Sequence, residues 1–211
     1  MAGNTCHLGG VHMCRSLLGV VCLTVALAHA PSESLAAPFT IDFEALSDGD
    51  PVGALGSPAV TFSNATVLTA GISLNELDFP PSSGSNVAHD SGGPMRLDFT
   101  APIESFSGRF TYIAPLTILF FNPSANLLGS VASLFADNTL SAGGAANEIV
   151  QGVFAGTKFI TITGDPLGGS FTVDDVFFQT SSVPEPCATV LTGTALAVWL
   201  RRRRSHARAR T

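Results

Sequence analysis

Cysteine is missing from the whole middle of this 211-residue chain: Cys6, Cys14 and Cys22 lie near the start, Cys187 near the end, and residues 37–180 hold none. Neither a disulfide framework nor a cysteine-based metal site can form there. That block must hold together by apolar burial, and it is long enough to do so. Charge is scarce as well, at 12% of residues, against about 25% in an average soluble domain. Aromatics other than Phe are almost absent: the one Trp is Trp199 and the one Tyr is Tyr112, beside fifteen Phe. A sugar platform built on Trp is therefore excluded from the middle block. The formal net charge of -6 argues against a nucleic-acid partner, and 45% hydrophobic residues exclude a disordered chain.

The charges that exist are segregated. Residues 37–180 hold fourteen Asp and Glu against Arg96, Arg109 and Lys158, a net of -11. Residues 181–211 hold Glu185 against six arginines, a net of +5. An acidic middle and a basic tail imply different jobs.

At the N-terminus Arg15 precedes the apolar stretch from Ser16 to Ala28, and small residues follow. That order matches a secretory signal peptide, assigned to residues 1–36, with cleavage after Ala28 or Ala36. A helix over residues 16–28 spans about 20 Å, short of the roughly 30 Å needed for a permanent membrane anchor. The competing reading is a buried helix, but the run has no polar face to leave in water.

At the C-terminus the chain reads VPEPCATVLTGTALAVWLRRRRSHARART. Pro184, Glu185 and Pro186 form an extended segment that cannot enter a helix. The apolar run 187–200 suits a short transmembrane helix, and Arg201, Arg202, Arg203 and Arg204 stop translocation from the cytoplasmic side. This tripartite arrangement, residues 181–211, resembles the PEP-CTERM sorting signal of exported bacterial proteins. The resemblance implies recognition of Pro184, Glu185 and Pro186 by a membrane-embedded exosortase. Cleavage and transfer to the envelope or surface of a Gram-negative bacterium, or to its exopolysaccharide matrix, would follow. Cys187 departs from the small residue usual at that place, and the trailing SHARART is longer than many such tails. The competing reading is an ordinary tail anchor with a chance PEP tripeptide.

Between residues 37 and 180, short runs rich in Val, Ile, Thr and Phe alternate with clusters of Gly, Pro, Asn, Asp and Ser. They predict strands at Phe39–Glu44, Ala59–Leu68, Asn86–His89, Met95–Thr100, Ile103–Tyr112, Leu116–Phe121, Leu127–Phe135, Ile149–Phe154, Lys158–Thr163 and Ser170–Phe178. Leu127–Phe135 also fits a helical stripe, which Gly129 and Ser130 weaken. Short strands without helices point to an all-β, antiparallel β-sandwich of jelly-roll type, its core dominated by Phe. The pieces TIDFEAL, RLDFTAPIESFSGRFTY and GGSFTVDDVFF resemble jelly-roll, lectin-like domains that often stand before such tails.

Asp174 and Asp175 interrupt an apolar strand. Alternation puts one of them among core residues, which is costly unless the carboxylate is paired or holds a cation. With no Lys or Arg close in sequence, a hard cation such as calcium or backbone N–H groups must satisfy it. The similarity to jelly-roll carbohydrate-binding modules implies a structural calcium between the opening and closing strands, with Glu44 as its third ligand. The alternative is a β-bulge, with the carboxylates in solvent or hydrogen-bonded to a turn. His89, Asp90 and Ser91 hold the side chains of a hydrolase triad, but neighbours on a strand point to opposite faces. Residues 152–158 (GVFAGTK) lack the spacing and the helix of a phosphate loop.

These readings describe an exported, surface-sorted protein without catalytic residues. Its expected role is structural or adhesive in the envelope or matrix. The alternatives are a carbohydrate-binding module with a loop or calcium-assisted site, or a secreted hydrolase.

Overall fold

The computed structural model describes residues 38–55, 57 and 59–180. The signal segment 1–36, the Pro184, Glu185 and Pro186 motif, the apolar run 187–200 and Arg201, Arg202, Arg203 and Arg204 lie outside the described residues. Among the described residues no helix is long and apolar enough to cross a membrane.

The described residues are all-β, and their strands pair antiparallel. Nine strands follow one another: β1 (Pro38–Ile41), β2 (Val60–Ser63), β3 (Ala65–Thr69), β4 (Asn86–Asp90), β5 (Met95–Tyr112), β6 (Thr117–Phe121), β7 (Leu127–Ala132), β8 (Glu148–Thr163) and β9 (Phe171–Thr180). One 3-10 turn, Val52–Leu55, interrupts the series. Residue alternation builds them: in β6, Ile118 and Phe120 face inward while Thr117, Leu119 and Phe121 face out.

Two layers arise because the long strands serve both. The first half of β5 lies between β2 and the second half of β8, with β6 and then β7 beyond. The second half of β5 lies between the first half of β8 and β9. On its far side β9 carries β4 at Thr172 and Val173 and β1 from Val176 onward, with β3 outside β4. The crossing falls at register breaks, between Asp98 and Ile103 in β5 and opposite residues 154–156 in β8. Pro102 there has no N–H to give a ladder, and Gly156 takes φ +84°, so the strands bend without breaking.

Phe side chains fill the space between the layers. Phe106 meets Phe120 edge-on at 6.4 Å, and Phe99 meets Phe178 at 5.0 Å. Phe43, Phe62, Phe110 and Phe171 are buried with them. Each such burial stabilises by about 1.5–3 kcal/mol, which is how a block without cysteine holds together.

Several predicted boundaries move for identifiable reasons. Ala59–Leu68 is two strands, because the chain breaks at Asn64, at φ +55°, so that β2 pairs with β5 while β3 pairs with β4. Met95–Thr100 and Ile103–Tyr112 are one strand, as are Ile149–Phe154 and Lys158–Thr163, since hydrogen bonding carries through the bulges. Leu127–Phe135 is a strand only to Ala132, with no helix. The opening strand stops at Ile41, and Phe43, at φ +63°, turns Glu44 off it.

Candidate functional site

Asp174 and Asp175 sit where β9 has left β4 and not yet met β1, so neither strand pairs with them on that side. Against β5, Ser107 faces Phe177 while Arg109 faces Asp174, so β9 carries an extra residue. Asp175 takes φ +46° in that bulge. The bulge aims both carboxylates at one segment, Ser82–Ser83, some ninety positions earlier. Asp174 Oδ2 accepts hydrogen bonds from the N–H groups of Ser82 at 2.8 Å and Ser83 at 2.9 Å, and Oδ1 accepts from Asp175 N–H at 2.7 Å. Asp175 accepts from the Ser82 and Ser83 hydroxyls, each at 2.8 Å. Glu44 grips the next residues: Oε1 accepts from Ser85 N–H at 3.0 Å and Asn86 N–H at 2.7 Å. Gly84 lets it approach, since a Cβ there would fall 2.3 Å from Glu44 Cδ.

The three expected ligands therefore do converge, but on a loop. Asp174 Oδ2 and Glu44 Oε1 each hold two N–H donors, which occupy the lone pairs a cation would need. Calcium takes six to eight oxygens, and among the described residues no group of three or more His, Cys, Asp or Glu side chains is placed to hold a metal ion. The donor set fits a hydrogen-bonded clamp and does not fit a calcium cage. Burial pushes the Asp174 carboxyl up to about 6, with the neighbouring Asp175 charge adding to the shift and the Ser82, Ser83 and Asp175 N–H groups opposing it. Arg109, distant in sequence, reaches the bulge across the ladder, its Nε 3.7 Å from Asp175 Oδ2.

His89, Asp90 and Ser91 are not assembled as a triad. Asp90 is buried, and its carboxylate accepts from Ser170 N–H, Phe171 N–H and the Ser170 hydroxyl at 2.9–3.0 Å. Burial raises its pKa, against those hydrogen bonds. His89 Nδ1 lies 3.6 Å from Asp90 Oδ1, while the Ser91 hydroxyl pairs with the Thr66 hydroxyl at 2.9 Å. That hydroxyl is thus not paired with His89. Residues 152–158 lie within β8, and no helix follows them.

The outer face of the first layer holds a feature that the sequence reading missed. Pairing lines up Leu127, Phe121, Phe159, Asp98 and Thr61 across five strands, and beside them Ser130, Leu119, Thr161, Arg96 and Ser63. Alternation turns these outward while Leu97, Phe99, Ile118, Phe120 and Ile160 enter the core. Phe121 and Phe159 stack at 4.7 Å with an interplanar angle of 12°. The Arg96 guanidinium lies 3.7 Å from the Phe159 centroid, so Phe159 is sandwiched between Phe121 and Arg96. Asp98 grips Arg96 in a fork, Nε to Oδ2 at 2.7 Å and Nη2 to Oδ1 at 2.6 Å. Both charged side chains remain about two-fifths exposed, at 40% and 42%. A guanidinium has five N–H donors, so this pair keeps donors and acceptors for a third party.

No family model matches the chain, and no curated protein matches it. Solved structures match loosely. A carbohydrate-binding module of Cellvibrio mixtus lichenase 5A, in complex with cellotriose, is 11% identical over 71% of this chain and 99% of that one, with a TM-score of 0.36. The K1 cleaved adhesin domain of Lys-gingipain from Porphyromonas gingivalis is 11% identical over 69% and 99%, at 0.38. A DUF4465 family protein from Bacteroides caccae is 9% identical over 72% and 90%, also at 0.38. Likenesses this loose assign neither ligand nor role to the chain.

Proposed function

We propose that this chain is an exported, surface-sorted, non-catalytic module that binds extracellular polysaccharide, with the outer face of the first layer as its binding surface. The observation that carries the reading is the row in which the exposed Arg96–Asp98 fork adjoins the Phe121–Phe159 stack between Thr61 and Leu127. A sugar ring offers hydroxyls at its rim and C–H groups on its faces, and this row sets hydrogen-bonding groups beside hydrocarbon in the same way. The structural role in a matrix follows from such binding. The jelly-roll assignment of the two-layered sandwich belongs to this proposal, as does the PEP-CTERM reading of the tail. In that reading an exosortase recognises Pro184, Glu185 and Pro186 while the run 187–200 and Arg201, Arg202, Arg203 and Arg204 hold the chain in the membrane.

Affinity electrophoresis of the full chain tests the binding reading, in gels cast with neutral glucan, mannan or galactan. At least one polymer retards the chain, and Arg96→Ala with Asp98→Ala restores free mobility at an unchanged melting temperature. Unretarded migration in all of them overturns the reading. Mass spectrometry of the mature protein tests the tail: loss of residues 187–211 is expected, and their retention in envelope fractions makes the tail an ordinary anchor.

A further inference from the structure

Which polysaccharide the outer face accepts is set by where the few cations are. Residues 37–180 hold Arg96, Arg109 and Lys158 and no other Lys or Arg. Each already has a partner. Asp98 holds Arg96 through two short hydrogen bonds, Arg109 faces Asp175, and Lys158 Nζ donates to the Thr100 carbonyl at 2.7 Å. A carboxylated or sulfated chain laid on the face would meet a guanidinium already neutralised, beside an exposed carboxylate, on a block of net charge -11. Like charges this close repel, and the surrounding field adds to the repulsion. A neutral chain meets no such barrier, and its hydroxyls both donate to Asp98 and accept from the remaining Arg96 N–H groups.

We infer that the face selects uncharged glycans, and that Asp98 is a specificity-determining residue that excludes acidic ones by compensating the Arg96 charge. This inference rests on the polysaccharide reading above. Its signature is a gain of function, since removing the Asp98 charge frees a guanidinium on an open face. The flanking residues Phe121, Phe159, Thr161 and Ser63 are unaltered by that change.

The test compares the full chain and its Asp98→Asn form, both with Arg201, Arg202, Arg203, Arg204, Arg208 and Arg210 changed to Gln so that the basic tail cannot hold a polyanion, in gels cast with the neutral polymers and with alginate, a polyuronate. The form that keeps Asp98 is expected to be retarded by a neutral polymer and to run freely in alginate. Asp98→Asn gains roughly fivefold in affinity for alginate at low ionic strength, the size expected of one exposed charge pair, and loses that gain in high salt. Arg96→Gln in that same chain, which leaves Asp98 in place, stays insensitive to alginate. Asp98→Ser serves as a second variant if the Asn form does not fold. Retardation of the Asp98 form in alginate as strong as in the neutral gels overturns the inference while leaving the polysaccharide reading intact. So does a folded Asp98 variant that gains nothing. Free migration of the Asp98 form in every gel fails the parent reading first.

Discussion

Two regions of this chain hold carboxylates against hydrogen-bond donors, and they differ in whose donors those are. At the edge of the second layer, Asp174, Asp175 and Glu44 take N–H and hydroxyl groups from residues 82–86, so their charge is used up in fixing a loop. On the outer face of the first layer, Asp98 takes donors from a side chain two residues away on the same strand. In the first arrangement Asp174 is buried, and Asp175 and Glu44, though partly exposed, spend their oxygens on the loop. The second leaves both partners in reach of solvent. Acidity alone therefore distinguishes nothing here, and a carboxylate is available to a ligand only where backbone donors have not saturated it.

The contrast predicts opposite mutational behaviour. Asp174→Ala strands three N–H groups at a half-buried place and lowers stability by about 2 kcal/mol in urea unfolding, while leaving polysaccharide retardation in place. Equal stability of this variant and wild type would remove the clamp. Gly84→Ala sets a methyl group against the Glu44 carboxylate and puts a side chain at φ +53°. It costs roughly 1–2 kcal/mol by the same assay.

Asp174 also gives the stability a pH dependence. Its folded pKa of about 6 lies above the ordinary value of 3.8. The folded state thus binds the proton more tightly, so this contribution to stability is full below about pH 4 and is lost as pH rises through about 6. In urea titrations across that window Asp174→Asn flattens the decline, and an unaltered slope would assign it elsewhere. The smallest effect is that of calcium. With the clamp oxygens occupied by N–H donors, the melting temperature is expected to stay the same in millimolar calcium and in chelator. A rise with calcium would restore the cage that the carboxylate geometry speaks against.

Much of the fold was legible in the sequence because burial follows alternation. The runs around Phe99, Phe106, Phe120 and Phe178 read as strands, and those residues are buried. What local pattern could not show was continuity through the bend at Pro102, or the change of partner strand at Asn64, since both depend on which strand lies alongside. Asp174 and Asp175 stood out as polar residues in an apolar strand, and the need for either a cation or compensating N–H groups followed from that. Their partners did not, because only the bulge at Asp175 turns both carboxylates to the same side, toward Ser82 and Ser83. Glu44 was reached through similarity to other opening strands, yet it acts from beyond the strand and through the space that Gly84 leaves. The Arg96–Asp98 fork had a signal that went unused: in Arg96-Leu97-Asp98-Phe99 the charged residues share one face. The Phe121–Phe159 stack had none, since it joins strands 38 positions apart that only the register of β6 on β8 brings together.

The most direct test of the binding face is hydrogen-exchange mass spectrometry on the full chain, with and without the neutral polymer that retards it. Slower exchange is expected in peptides covering residues 95–100, 117–121 and 158–163, with residues 82–86 unchanged. Protection confined to residues 82–86, or to loops away from Arg96 and Phe159, would contradict the account.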